Sequence, residues 1–305
     1  MDTTWFAKRP VTEVRPGDHG WLAYSGAEER DRVIGTFIEA GLRHGEKVVY
    51  VTDTPPDRLP GMSMRTSLDL CDYTGSGQLR VIPTEEACRG RDGAFEPDRL
   101  LDTLGREVDG TFGQGFRAAR LTIDHSWVLA GRDGADLGPM LGCEQGFGDA
   151  VSPSTMAMAI CQVSRRACSP GQLAALRATH EVLIEVDPEF DDGVLRIVRT
   201  FQPHGLRLAG ELDAVRHARF TEELDRVARS HRQIHLDFAE LGFIDLGGLT
   251  LLAEHATRLG GGRALVLDYL PPDVESVIEM VGWHRLPGLV RGRGRAPHGP
   301  EGGAP

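Results

Sequence analysis

Residues 241–249 read Leu241-Gly242-Phe243-Ile244-Asp245-Leu246-Gly247-Gly248-Leu249. An apolar run, Ile234-His235-Leu236-Asp237-Phe238, leads into them, and its alternation predicts a β-strand. Leu249, Leu251, Leu252, His255, Ala256 and Leu259 follow at helical spacing. The order predicted is therefore a strand, a tight turn and the start of a helix. Gly247 and Gly248 suit such a turn because glycine tolerates positive φ and close backbone approach. The first N–H groups of a helix have no partners within it, so a corner of this kind can hold an anion or present a modifiable hydroxyl.

Upstream stands Gly210-Glu211-Leu212-Asp213, followed by Ala218, Phe220, Leu224 and Val227 at helical spacing. Together the two motifs resemble the STAS domain, the fold of anti-sigma factor antagonists. In that family a Gly-Glu-Leu-Asp segment follows the second strand and an Asp-Ser-Ser-Gly-Leu segment opens the second helix. Asp245, Gly248 and Leu249 match the second motif. The phosphorylated Ser of the family falls on Gly247, and the Ser before it on Leu246. The resemblance implies a partner surface made of Asp213, Asp245, Leu246, Gly247, Gly248 and Leu249, facing an anti-sigma factor or serine kinase of the histidine-kinase-like ATPase type. It also implies that the usual phosphate acceptor is missing. Thr250, one turn inside the helix, is the nearest hydroxyl and a poor substitute. The segment opened by Asp213 also suits a helix cap over 214–229.

The 305 residues have room for two ordinary domains, and 40% apolar with 26% charged residues is usual for globular chains. No apolar run approaches the roughly 20 residues that span a bilayer, and residues 1–16 lack the apolar core of a signal peptide. A cytoplasmic bacterial protein without membrane contact is expected. The net charge of −11 argues against direct nucleic-acid binding, which needs clustered cations. Lys8 and Lys47 are the only lysines, a bias typical of GC-rich genomes. Cys71, Cys88, Cys143, Cys161 and Cys168 are odd in number and contain no Cys-x-x-Cys pair, so reduced thiols are expected.

The N-terminal two thirds alternate strands and helices. Trp21-Leu22-Ala23-Tyr24 reads as a strand, and Ser25 with Glu28 as a capping box before Val33, Ile34, Phe37 and Ile38. Lys47-Val48-Val49-Tyr50-Val51 is the next strand. Further strands are read at 77–82, 118–124 and 157–163, with helices at 97–108 and 140–151, a short one near Leu68–Cys71, and one opened by Ser169-Pro170. This is the pattern of a mostly parallel α/β sheet. Residues 1–16 look irregular. The first domain is placed at 17–186, an acidic linker at 187–193, the second domain at 194–290, and a disordered tail at 291–305. Gln202-Pro203-His204-Gly205 is read as a hairpin turn.

The first domain resembles the MEDS domain, a sensory module of methanogen and methylotroph regulators. The landmarks are His19, Gly41-Leu42, Gly45-Glu46, Gly77-Gln78-Leu79, Asp124, Trp127, Glu144, Ile160-Cys161 and His180. That resemblance implies sensing of a small molecule or other signal. The layout is also similar to RecA-like and KaiC-like ATPase domains. A working phosphate loop needs G-x-x-x-x-G-K-[ST]. The chain instead offers Tyr24-Ser25-Gly26-Ala27-Glu28-Glu29-Arg30-Asp31-Arg32, with one Gly, no Lys and three acids. The phosphate loop is therefore degenerate.

His19, Asp53, Asp124, His125, Glu144 and His180 are expected near the carboxyl ends of the strands, where open α/β sheets bind ligands. Of these, His19, Asp124 and Glu144, with Trp127, are assigned to signal binding; His125 and His180 are read as structural. No pair among these residues has the His-x-x-x-His spacing, so no metal or other cofactor is expected. No Gly-x-Ser-x-Gly elbow or spaced Cys–His pair marks a nucleophile, so no catalytic residue is assigned. The preferred expectation is a non-enzymatic signalling regulator: a RecA/KaiC-like sensory α/β domain coupled to a smaller STAS-like α/β domain that frees a sigma factor by binding its anti-sigma factor. The alternatives are a nucleotide-binding RecA-like protein or weak ATPase, and a structural adaptor of a larger sensory assembly.

Overall fold

A computed structural model describes residues 7–62, 68–129, 137–260 and 262–294. The chain divides into two compact units, Met1–Asp187 and Pro188–Pro305. Among the described residues no helix is long and apolar enough to cross a membrane.

The first unit is built on seven strands: β1 (Ala7–Pro10), β2 (His19–Tyr24), β3 (Lys47–Val51), β4 (Leu79–Ile82), β5 (Ala119–Asp124), β6 (Ala157–Ser164) and β7 (Val182–Glu185). Their order is β1-β7-β2-β6-β5-β3-β4, and every pairing is parallel. The central strands are buried runs, as a sheet covered on both faces requires. Part of the segment expected to be irregular forms β1, an edge strand. Its sequence, Ala-Lys-Arg-Pro, carries no apolar alternation, and its Pro is tolerated at an edge.

The connecting helices are α1 (Ala27–Arg43), α2 (Leu70–Gly75), α3 (Thr84–Ala87), α4 (Pro97–Gly113), α5 (Ser126–Leu129), α6 (Gly138–Ala150) and α7 (Pro170–Arg177). One face of the sheet, with Trp21, Val49, Leu121, Ile123, Ala159, Cys161 and Val163, packs on Leu100 and Leu104 of α4, Met140 and Phe147 of α6, and Leu176 of α7. Strand alternation sends Val48 and Arg120 to the opposite face, under α1, where Arg120 lies 4.9 Å from the Phe37 ring. The Gly-Glu and Gly-Gln landmarks are scaffold parts. Glu46 pairs with buried Arg120, and Gln78 donates its amide to the carbonyls of Leu42 and Glu46 at 2.9 and 3.0 Å, closing the end of α1.

The capping box forms differently from the expectation. Gly26 is the N-cap of α1 without a side-chain bond, and Glu29, rather than Glu28, accepts the Ser25 N–H at 2.7 Å.

The second unit holds β8 (Phe190–Asp191), β9 (Leu195–Phe201), β10 (His204–Leu212), β11 (Gln233–Ile244), β12 (Ala264–Asp268) and β13 (Leu289–Arg291), in the order β13-β12-β11-β10-β9-β8. The strands from β10 to β13 are parallel, and β9 is antiparallel to both its neighbours, with the hairpin turn at 202–203. α8 (His217–Ala228), α9 (Leu246–Leu259) and α10 (Pro272–Val281) supply Phe220, Leu224, Leu252, Ala256 and Ile278 to one core with Leu206, Leu208, Leu236 and Phe238.

Three details differ from the sequence expectation. The stretch 187–193, read as a linker, carries edge strand β8. The tail read from 291 onward starts inside β13, and Gly292 N–H still donates to Leu267 O at 2.9 Å; residues 295–305 lie outside the described residues. α8 starts at His217 instead of 214, because Asp213 to Arg216 close a turn through the Arg216 N–H.

Candidate functional site

In the first unit, α6 and its C-cap Val151 lay Met140, Cys143, Glu144, Phe147 and Val151 against the sheet, the first four at helical spacing. Four of these are apolar, and the fifth is a carboxylate. Glu144 is 1% exposed. Oε2 lies 3.0 Å from His19 Nε2, 3.3 Å from His180 Nε2 and 3.2 Å from Cys161 Sγ. Oε1 lies 3.0 Å from His125 Nε2. His19 Nε2 also lies 3.3 Å from Cys161 Sγ. His19 opens β2, Cys161 is mid-β6, His125 follows β5 and His180 precedes β7, so sheet order brings them together.

Burial alone would raise the Glu144 carboxyl, but the charge of His125 and the hydrogen-bonding imidazoles outweigh it and hold the group well below the usual carboxylate range. Burial pushes the His19 imidazole down and the Cys161 thiol up. The His19 ring stacks on Phe147 at 5.1 Å and leans on His180 at 4.2 Å. Packing thus fixes the rings as well as their charges.

Asp124 does not join this cluster. It is in register with Gln162, whereas Cys161 is in register with Ile123, so alternation sends Asp124 to the opposite face. There it accepts the Tyr24 hydroxyl at 2.9 Å and the Ser126 N–H at 2.9 Å, with Arg30 at 3.8 Å. Asp53 accepts from the Thr84 N–H and hydroxyl at 2.8 Å. Trp127 sits on α5, edge-on to Phe95 at 6.1 Å and under Arg89 at 4.5 Å; Phe95 in turn meets His125 at 6.2 Å. The four residues assigned to signal binding therefore split: His19 and Glu144 share one buried cluster, Trp127 flanks it through Phe95, and Asp124 faces the other way. The cluster also lies under the sheet, not at its carboxyl edge. His125, His180 and Cys161 complete it. The detectable signal was the single carboxylate within the apolar stripe of α6.

At the end of β2 the Glu29 carboxylate takes the N–H of Ser25. A phosphate approaching this loop meets an acid already bound to its backbone.

In the second unit, β11 continues through Ile244, because Glu211 and Leu212 of β10 pair with Phe243 and Ile244 after a bulge. Asp245 is the N-cap of α9, its Oδ1 accepting the Gly248 N–H at 2.7 Å. The paired glycines sit within the first turn of the helix, and neither has positive φ. What requires them small is close approach: a Cβ on Gly247 would stand 2.6 Å from His217 Cε1, and one on Gly248 would stand 2.8 Å from Ile244 Cγ1. His217 Nε2 lies 2.8 Å from Asp245 Oδ1.

Burial would raise the Asp245 carboxyl, but the Gly248 N–H and then His217 lower it below its ordinary value. Asp213 pairs with Arg216 at 2.7 Å. It caps no helix, which corrects the sequence expectation. The Thr250 hydroxyl donates to Leu246 O at 2.8 Å, inside the helix. Around the corner Leu246, Phe243 and Val215 are 63%, 50% and 83% exposed.

Residues 18–181 match the family model described as the methanogen/methylotroph DcmR sensory domain, MEDS. The chain belongs to the MEDS family. After this domain, residues 195–291 match the model described as Mlab, STAS domain. No curated protein matches. Among solved structures, the flagellar accessory protein FlaH from Methanocaldococcus jannaschii is 14% identical, covering 61% of this chain and 78% of its own, with a TM-score of 0.38. A KaiC-like protein of Pyrococcus horikoshii OT3 is 16% identical, covering 60% and 78%, with a TM-score of 0.40.

A MEDS sensory domain followed by a STAS domain is the composition of a signalling protein. Both domain types are typically non-catalytic, and STAS domains generally bind partner proteins. Within the MEDS match lie all five members of the Glu144 cluster, and within the STAS match the whole α9 corner.

Proposed function

We propose that the chain is a non-enzymatic cytoplasmic regulator whose MEDS domain senses a small molecule and whose STAS domain docks on an anti-sigma factor, a serine kinase of the histidine-kinase-like ATPase type, thereby controlling sigma-factor-dependent transcription. The docking surface is the corner of Asp213, Asp245, Leu246 and Gly247; Gly248 and Leu249, expected on it from the sequence, are buried beneath it because they pack the first turn of α9 onto the core. The observation that supports it best is the exposed apolar group Leu246 and Phe243 beside a helix start held rigid by Asp245. Isolated apolar residues on a surface mean little, but two beside a built helix start form the centre that an interface needs.

Gly247 leaves this corner without the hydroxyl that switches other antagonists. The domain then acts as a permanently unmodified partner, gated through the sensory half. The test is capture of candidate anti-sigma kinases by the full-length chain, wild type against Leu246→Asp. An acid at the first position of a helix is tolerated by the fold. Capture by the wild type and its loss in the variant is the expected result; capture indifferent to Leu246→Asp removes the surface.

A further inference from the structure

The Glu144 cluster has a hydrogen-bonding problem that protons solve badly. His180 Nδ1 lies 2.8 Å from the carbonyl oxygen of Leu176, which can only accept, so Nδ1 carries the proton. In a neutral ring Nε2 is then a bare lone pair, and it faces a carboxylate oxygen 3.3 Å away. Among the described residues, His180 Nε2, both His125 ring nitrogens and Glu144 Oε1 find no aligned hydrogen-bond partner, although the three side chains are at most 2% exposed. Placing a second proton on each ring would bury several cations against one carboxylate, at a desolvation cost of several kcal/mol per ion.

We propose that His19 Nε2, His180 Nε2, Cys161 Sγ and Glu144 Oε2 bind one divalent transition-metal ion of the zinc or cobalt type. The four donor atoms come from separate elements and all lie within 4.8 Å of one another. Four of the six donor separations, 3.0, 3.2, 3.3 and 3.3 Å, lie at or a few tenths of an ångström under the edges, about 3.3–3.8 Å, of a tetrahedron with metal bonds of about 2.0–2.3 Å. Two imidazoles, a thiolate and a carboxylate suit a borderline-soft ion in preference to magnesium or calcium. Charge balances too, since one dication offsets one thiolate and one carboxylate, and a neutral site is the kind a core tolerates.

The surroundings are those of a ligand set. The Leu176 carbonyl orients His180, and His125 Nε2 stands 3.0 Å from the free oxygen of Glu144, where an outer partner of a metal ligand stands. The His19 side chain, 12% exposed while Glu144 and His180 are fully covered, marks the way in. Binding transfers no electrons: the Cys161 thiol proton leaves to solvent as the sulfur–metal bond forms. This site deepens the sensory reading and is independent of the docking reading, so a chain that binds no metal yet captures the kinase removes only the former.

The experiment is Co(II) titration of the full-length chain, stripped with a chelator, under reducing conditions. Expected are about one equivalent bound and a sulfur-to-cobalt charge-transfer absorption that Zn(II) displaces. The band disappears in Cys161→Ser and persists in Cys71→Ser, a change at an exposed cysteine. X-ray absorption at the zinc edge of the wild type, which needs no variant to fold, is expected to show one sulfur among nitrogen and oxygen neighbours. No charge-transfer band, a band that survives Cys161→Ser, or a sulfur-free zinc shell each overturns the site.

Discussion

Gly247→Ser restores the hydroxyl that the STAS resemblance finds missing, and the structure says what it meets. The new Cβ lies 2.6 Å from His217 Cε1 and 3.3 Å from Asp245 Oδ1. His217 must leave, and its contact with Asp245 at 2.8 Å goes with it. A partly exposed polar pair of this kind is worth about 0.2–1 kcal/mol, and an imidazole forced off its rotamer costs about 0.5–1.5 kcal/mol. Against this, replacing Gly in a helix gains roughly 0.5 kcal/mol. The net is a loss of about 1 kcal/mol in the wild-type background. In a His217→Ala background the obstacle is gone, and the same substitution becomes stabilising by roughly 0.5 kcal/mol. A double-mutant cycle by urea unfolding is therefore expected to give a coupling of about 1–1.5 kcal/mol, well above the ~0.3–0.5 kcal/mol scatter of independent sites. Additivity within that scatter would falsify the claim that His217 fills the space a side chain would occupy.

Other outcomes follow from the same geometry. Asp245→Ala removes the α9 cap and is expected to cost about 0.5–2 kcal/mol in urea unfolding; an unchanged midpoint and slope would show that the cap is not needed. The Asp245 carboxyl is held below its ordinary value, so on acidification the unfolded chain takes up this proton first. Its contribution is complete above the unfolded value of about 3.9 and is lost as pH falls through the lower folded value. Asp245→Asn should flatten that part of the stability–pH curve, and a curve of unchanged slope would contradict the assignment. Glu46→Ala strands the buried Arg120 guanidinium, for an expected loss of about 3–5 kcal/mol; a loss under 1 kcal/mol in calorimetry would mean that water reaches the guanidinium in its place.

Much of the fold was written in apolar runs. β3 and β6 read as strands because a doubly covered parallel sheet leaves no polar side to them. The edges were not legible for the complementary reason. β1 and β8 are held by backbone pairing at the margins, and Ala-Lys-Arg-Pro or Phe-Asp has no pattern to read. At the C-terminal corner the motif was visible but its cause was mistaken. The glycines are small for His217 and Ile244 and not for an unusual φ. His217 itself was invisible, since nothing in sequence distance links it to Asp245. The Glu144 cluster was half legible. Its members stood out singly, but a search for close spacing misses ligands that come from four elements. Asp124 and Cys161 illustrate the limit: both lie on central strands, and a difference of one residue in register puts them on opposite faces.

The same corner explains why a signal would have to arrive from elsewhere. An anion on the first turn of a helix is stabilised by free N–H groups and the dipole. Here Asp245 already supplies that negative charge to the Gly248 N–H, and His217 already faces Asp245. A phosphate added to this turn would sit beside a carboxylate, with the nearest imidazole already engaged. Nor does Thr250 offer a second acceptor, its hydroxyl being spent on the Leu246 carbonyl. The corner is thus complete in its own charges, and what remains outward is apolar: Leu246 and Phe243. A surface of that kind binds or is covered. If it docks, its regulation acts on access to it, and the buried Glu144 cluster in the MEDS domain is a chemically loaded place suited to carry the stimulus.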